Sequence, residues 1–391
     1  MGPSTHPAQL PAPPPEAAAL SERLQQAIAA EIGRGGGWLS FERYMALALY
    51  APGLGYYMAG ARKLGRDGDF VTAPEISRLY GRTLARQLQQ LAALGFTDVL
   101  EIGAGSGALA ADLLVELERL GCLPQRYLIL ELSPDLRDRS RDTIAQRAPR
   151  LVERVAWLNG LPREFSGVVI GNEVLDAMPA HVFQRDGNRI LELGVSFKDG
   201  KLDWSPRPSG SAPAELDPSC FPEDGYRSEV QIVARAFVRS LGDALARGVA
   251  LFVDYGFPRH EYYHPQRAGG TLMCHYRHRA HDDPFVLPGL QDITTHLDFS
   301  AIAQAGREAG LDVLGYTNQA QFLVNCGITD LLAETPAENA AAYAPLAAQA
   351  QKLLSPAEMG ELFKVLALGK GVTQPLLGFA SGDRRHTLNA E

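Results

Sequence analysis

The sequence predicts a doubly wound α/β fold, and three observations carry that expectation. Short apolar runs rich in Val, Ile and Leu recur at 97–103, 126–132, 154–160, 167–173 and 249–256. Helix-like stretches such as ALAADLLVELERL and SPDLRDRSRDTIAQRA separate most of them, as buried parallel strands with crossover helices require. The first run ends in VLEIGAGSG, a glycine-rich turn between strand and helix, the place where open α/β sheets bind ligands.

The elements follow in order. Residues 1–16 are Pro/Ala-rich and read as a tail. Residues 17–95 read as a helical N-terminal domain. Leu20, Leu24, Ala27, Ile28 and Ile32 recur at helical spacing, Gly35, Gly36 and Gly37 end that helix, and further helices are expected over 41–50 and about 74–94. The polar, glycine-rich ARKLGRDGDFVTAPE between these last two is a candidate functional loop. Arg78, Arg82 and Arg86 recur every four residues, either a solvated face or a surface for an acidic partner. Residues 96–391 form the sheet domain, with inserts at about 181–228 and 257–298. In the first insert, Asp186-Gly187 and Asp199-Gly200 read as hairpin turns. The second is rich in Gly, Pro, His and Tyr without a clear period, which points to a functional role. A helical tract follows, and PLLGFAS (375–381) is the candidate last strand.

Composition narrows the function. The 391 residues are 46% hydrophobic and 21% charged, a globular balance. The net charge of −8 argues against a dedicated nucleic-acid binder. No apolar run of about 18 residues or more is present to span a membrane. Cys122, Cys220, Cys274 and Cys326 form no C-x-x-C, which argues against structural zinc and for a reducing compartment. The N-terminus has neither a secretory pattern nor the arginines of a transit peptide. The expectation is a bacterial-like cytoplasmic protein, or a mitochondrial matrix protein if the chain is a trimmed eukaryotic one.

The strongest motif is Glu101-x-Gly103-x-Gly105-x-Gly107. Its glycines allow a sharp turn and close backbone approach to a ligand, and the helix N-terminus favours a carboxylate or phosphate. Gly103, Gly105 and Ala108 would also pass for a nicotinamide dinucleotide site. Glu101 and Gly107 favour S-adenosylmethionine (SAM) instead, and the long helical segment ahead of the first strand fits poorly with an N-terminal dinucleotide domain. Glu131 ends the next strand, where a carboxylate could accept both ribose hydroxyls. A glycine-rich turn with no ligand is the bland alternative.

GDFVTAPEIS (68–77), LEIGAGSG, GNEVLDAMP (171–179), the GTL and PGLQDITTHLDF segments (270–299) and MGELFKVLAL (359–368) resemble the MidA-type SAM-dependent methyltransferases. The resemblance runs through nearly the whole chain after residue 20. It implies a class I SAM-methyltransferase fold, and its mitochondrial members are complex I assembly factors that dimethylate an arginine of a core subunit. It further implies that Gly103, Gly105 and Gly107 wrap the methionine end of SAM and that Glu131 holds the ribose. Gly68, Asp69, Phe70, Thr72, Pro74 and Glu75 would close over the cofactor. Gly171 stands where the family pattern has a first Asn, while Asn172, Glu173, Asp176 and Pro179 are kept. His278, Asp292 and His296 belong to the family's signature.

An arginine acceptor stays protonated at physiological pH, so carboxylates must grip the guanidinium and take up its proton. Asn172, Glu173 and Asp176, just past the fourth strand, are the expected catalytic residues: Glu173 binds the guanidinium and Asp176 assists. Alternatively, Asp176 caps a following helix and Glu173 orders the cofactor loop. His260-Glu261-Tyr262-Tyr263-His264 spells H-E-x-x-H, but zinc chemistry needs both histidines on one continuous helix, and Pro258 and Pro265 argue against that; no metal is expected. The expected function is protein-arginine methylation, with a complex I-type subunit as partner. A non-catalytic SAM-binding assembly chaperone and an NAD-dependent oxidoreductase are the alternatives.

Overall fold

A computed structural model describes residues 10–60, 71–210, 212–213, 216 and 218–389. The chain opens with α1 (Pro15–Arg34), which buries Leu24, Ile28 and Ile32 and ends at the glycine run. β1 (Leu39–Ser40) leads into α2 (Phe41–Tyr50), where the Ser40 hydroxyl caps the helix by accepting from the Arg43 N–H. α3 (Ala73–Ile76) and α4 (Arg78–Ala93) follow, the latter capped by Ser77.

The sheet then begins. β2 (Val99–Ile102), α5 (Ala108–Arg119), β3 (Tyr127–Leu130), α6 (Pro134–Arg147), β4 (Val155–Leu158) and β5 (Phe165–Asn172) alternate as the apolar runs predict. The first insert forms β6 (His181–Asp186), β7 (Arg189–Lys198), β8 (Lys201–Pro208) and β9 (Arg227–Val230). Both expected hairpin turns are present, at Gly187 (φ 58°) and at Asp199-Gly200 (φ 50° and 78°). α7 (Ile232–Ala244) returns the chain to β10 (Leu245–Phe257). Beyond it lie α8 (Arg259–Tyr262), β11 (Met273–Tyr276), β12 (Arg279–His281), β13 (Asp292–Thr294) and β14 (Leu297–Asp298). The chain continues through α9 (Phe299–Glu308), β15 (Asp312–Asn318), α10 (Gln319–Asn325), α11 (Ile328–Ala333), α12 (Ala340–Leu354) and β16 (Phe363–Lys370).

The main sheet has the order β15-β16-β10-β5-β2-β3-β4, with β14 extending β10. The chain runs outward from β2 to β4, then crosses back to lay β5 on the other side of β2. The strand order therefore reverses between β2 and β5, and the crevice at their carboxyl ends is the expected ligand site. Side chains alternate between two cores. Val99, Ile129, Val168 and Leu251 face the layer of α4 and α5, while Leu100, Leu128, Val169 and Ala250 face that of α7 and α9. Burial on both faces explains why these strands read as continuous apolar runs.

Four expectations are corrected. The last strand is β16, not PLLGFAS, which forms a 3-10 turn at Leu377–Phe379; β16 lies antiparallel to both β10 and β15, so the sheet is mixed. A short apolar run after helices has no period that separates strand from helix. The second insert, read as irregular, contains the antiparallel sheet β12-β11-β13. Its tight turn is built by Arg277 (φ 47°) and His278 (φ 59°), residues that carry no turn signal. The arginine stripe of α4 is neither a plain solvated face nor a free partner surface. Arg82 pairs with Glu116 at 2.9 Å and Glu334 at 2.6 Å, Arg86 with Asp330 at 3.2 Å, and the more exposed Arg78 more loosely with Asp112 at 3.9 Å, so all three tie α4 to α5 or to the α11 region. Finally, no helix follows Asp176; the next element is β6.

The helical segment divides its packing. α1 and α2 pack with Leu193 and Val195 of the first insert, and β1 pairs with β7, whereas α4 packs on α5 in the main core. No helix among the described residues is long and apolar enough to cross a membrane.

Candidate active site

The crevice between β2 and β5 opens into a cavity of about 580 Å3. Its floor is the turn after β2, where Gly103 (φ 64°) and Gly105 (φ 54°) adopt left-handed backbone that side chains resist. A Cβ on Gly103 would meet Val174 Cγ2 at 3.0 Å, so the turn is shaped by close approach of the loop after β5. Gly107 (φ 79°) begins α5 and does not line the cavity. A Cβ there would fall 2.7 Å from Ser140 Cα, so this glycine lets α6 approach the start of α5.

Three glutamates line the cavity. Glu101 is buried at the end of β2, accepts the Tyr127 hydroxyl at 2.6 Å, and is pushed up to about 7 by burial. Glu131, at the end of β3, accepts the backbone N–H of Gly105 at 3.1 Å and of Ser133 at 3.0 Å. Burial raises it above the ordinary carboxylate range, against those two hydrogen bonds. Glu173 follows β5 with φ 53°, a strained conformation for a side-chain-bearing residue. Its Oε1 accepts from Asn172 Nδ2 at 3.0 Å and from the Ala73 N–H at 3.4 Å, and its Oε2 accepts the Tyr255 hydroxyl at 3.2 Å. Burial pushes it up to about 7.

Asn172 also lines the cavity and accepts the Tyr80 hydroxyl at 2.5 Å. Asp176 lies behind the wall, 2% exposed, and its Oδ1 has no hydrogen-bond partner. Burial, with Asp254, Glu173 and Asp292 nearby, holds it well above the usual carboxylate range. Asp176 has no following helix to cap; instead Asp254 Oδ2 holds the turn by accepting the N–H groups of Val174, Leu175 and Asp176. Thr72 and Pro74 line the cavity from the helical side, and Glu75 accepts the Ser106 hydroxyl of the glycine-rich turn. Gly68, Asp69 and Phe70 lie outside the described residues.

The histidines take structural positions. α8 ends at Tyr262, and His264 starts a separate 3-10 turn, so His260 and His264 do not share a helix. His296 stacks on Phe257 with ring centroids 5.5 Å apart and is pushed down to about 4 by burial. Asp292 accepts the Tyr57 hydroxyl at 2.9 Å. Sequence reasoning missed Tyr50, Tyr57, Tyr80, Asp254 and Tyr255. Only Asp254-Tyr255 carried a local signal, polar residues closing an apolar strand.

The lining chemistry decides between the two cofactors. Among the described lining residues there is no Lys or Arg, while three are glutamates. A dinucleotide pyrophosphate would meet carboxylates and no counter-charge, whereas SAM brings a cationic sulfonium and an ammonium group. Leu132, 68% exposed at the rim beside Glu131, leaves an apolar surface for a flat ring. Fold and site together define a class I SAM-type methyltransferase.

Comparison with known proteins agrees. A family model described as "Putative S-adenosyl-L-methionine-dependent methyltransferase" matches residues 79–317, and the chain belongs to that family. The mitochondrial protein arginine methyltransferase NDUFAF7 of Danio rerio is 29% identical over 368 residues, covering 85% of this chain and 83% of that one. The Mus musculus protein is 27% identical over 371 residues, covering 85% and 81%. A crystal structure from Burkholderia thailandensis bound to S-adenosyl-homocysteine is 53% identical, with a TM-score of 0.94 over 97% of this chain and 100% of that chain. The dinucleotide alternative falls with this assignment: the protein is a SAM-dependent methyltransferase.

Proposed function

We propose that the chain methylates an arginine side chain of a protein, with Glu173 gripping the guanidinium and Asn172 and Asp176 assisting. The observation that carries this reading is a carboxylate in the cavity wall, held by Asn172, Ala73 and Tyr255 and raised to about 7, with a second carboxylate oxygen unpartnered behind it. SAM supplies an electrophilic methyl group on a sulfonium. A guanidinium brought against Glu173 lowers that residue's proton affinity, so the carboxylate ionises as it binds. Glu173 then aims one nitrogen along the crevice and takes the proton that this nitrogen sheds as the N–C bond forms. Tyr255 and Asn172 keep the carboxylate oriented throughout.

Around the cofactor, the proposal gives Gly103 and Gly105 the methionine end and Glu131 the ribose. Gly107 shapes the turn, Glu101 borders it, and Gly68, Asp69, Phe70, Thr72 and Pro74 form the cover. The names of the curated relatives support arginine as acceptor, and the resemblance to MidA-type proteins supports a complex I-type subunit as substrate. The Burkholderia likeness supports a bacterial chain, for which the cytoplasm is the compartment proposed; the curated relatives, named as mitochondrial, support the matrix if the chain is eukaryotic. Incubation of the protein and a candidate subunit with methyl-labelled SAM should yield labelled methylarginine after hydrolysis. Glu173→Gln should abolish this while leaving SAM affinity within about threefold. Label in another amino acid, or turnover retained by Glu173→Gln, overturns the assignment; SAM binding without label favours an assembly chaperone.

A further inference from the structure

The α2 end of the cavity is closed by two tyrosines that nothing above has used. Tyr50 and Tyr57 both line it, stacked with ring centroids 5.5 Å apart and planes 20° from parallel. Each is anchored to a different wall. The Tyr50 hydroxyl donates to the Ala177 carbonyl at 2.9 Å, just beyond the loop that carries Glu173. The Tyr57 hydroxyl donates to Asp292 Oδ1 at 2.9 Å, and the Tyr57 carbonyl accepts the Ser133 hydroxyl at 2.6 Å. Ser133 in turn donates its backbone N–H to Glu131. The pair therefore spans the stretch between the carboxylate assigned to the ribose and the carboxylate assigned to the acceptor.

Covalent connectivity says what occupies that stretch. In SAM the sulfonium joins the ribose to the methyl group, so a cofactor with its ribose at Glu131 and its methyl directed to Glu173 lays its sulfur along the tyrosines. Aromatic faces attract cations, more strongly where water is displaced. The surroundings strengthen that preference: the lining holds three glutamates and, among the described residues, no basic side chain, and Asp292 stands behind Tyr57. Transfer of the methyl leaves a neutral thioether, which loses this attraction while keeping every other contact of the cofactor.

We infer that Tyr50 and Tyr57 form a cation-recognising wall for the sulfonium, so that the site holds charged SAM more tightly than the neutral S-adenosylhomocysteine it becomes. This rests on the cofactor placement proposed above. The consequence is a methyltransferase that releases its spent cofactor by loss of charge.

The test is calorimetric titration of the unmodified protein with SAM, S-adenosylhomocysteine and sinefungin, in which a protonated amine replaces the sulfonium methyl. The two cations should bind about threefold to tenfold more tightly than the thioether. Tyr50→Leu and Tyr57→Leu should reduce that ratio toward one by weakening the cations, whereas Tyr50→Phe should keep it. Equal or tighter binding of the thioether by the unmodified protein overturns the inference, as does equal weakening of all three ligands in the leucine variants. Glu131→Gln separates this from failure of the placement itself: it should weaken all three ligands, the two cations somewhat more because a lining carboxylate is lost, and unchanged affinity for the thioether there would reject the ribose site.

Discussion

Asp254 accepts the backbone N–H of Leu175 at 2.9 Å, and the same oxygen also takes the N–H groups of Val174 and Asp176. A buried carboxylate near the end of β10 thus fixes the turn that follows Glu173, just past β5. Three consecutive amides form an anion-binding nest, and the protein fills it with its own side chain. Burial and the nearby Glu173 push Asp254 up to about 8, opposed by those same N–H donors.

Asp254→Asn puts an amide N–H or a weaker acceptor against that nest. We expect a loss of roughly 2–4 kcal/mol of stability and a fall in methyl transfer, measured by urea unfolding and turnover. A variant as stable as the parent would show that the turn holds itself.

Tyr255 has a separate signature. Its hydroxyl stabilises ionised Glu173, so Tyr255→Phe should raise the carboxyl further above about 7. If Glu173 must be ionised to take the proton, kcat/KM rises with pH through that value, and the variant's rise should move to higher pH. Activity should then be lost mainly below neutrality and largely restored in alkali. A loss uniform across pH would mean that the tyrosine only packs.

Glu173 also links stability to pH. Its folded value of about 7 lies above the ordinary 4.5, so the folded state holds the proton more tightly. Between these values the native protein loses stability as pH rises, by up to roughly 3 kcal/mol at pH 8. Glu173→Gln lacks this term. Relative to the parent, the ligand-free variant should gain stability as pH increases through this window, as thermal unfolding at pH 5 and pH 8 would show. A difference independent of pH would place Glu173 in ordinary carboxylate surroundings.

Gly107→Ala should destabilise by roughly 1–3 kcal/mol, because φ is 79° and the new Cβ would strike Ser140. Denaturant unfolding measures the loss. Since Gly107 does not line the cavity, SAM affinity of the folded fraction should change little. A selective loss of SAM binding without destabilisation would give the glycine a direct contact instead.

What the sequence alone determined about this protein is local. Glu101, Gly103 and Gly105 are neighbours in the chain, and a strand that runs into glycines and then a helix can make few structures other than this turn. The Asp199-Gly200 hairpin was legible for the same reason. Strand order was not, because strands buried on both faces are uniformly apolar and carry no mark of their neighbours. Only the register that sets Val253 beside Asn172 brings Asp254 and Tyr255 to Glu173. Only the contact of Tyr50, at the end of α2, with the loop after β5 and that of Tyr57, beyond α2, with the loop after β3 bring the two rings over the cavity. The same holds for Gly107, whose need comes from α6, and for Arg82, whose partners lie on α5 and just beyond α11. Chain connectivity decided where the cofactor turn would be, and tertiary contact decided which charges surround it, since electrostatic coupling depends on distance in space and not along the sequence.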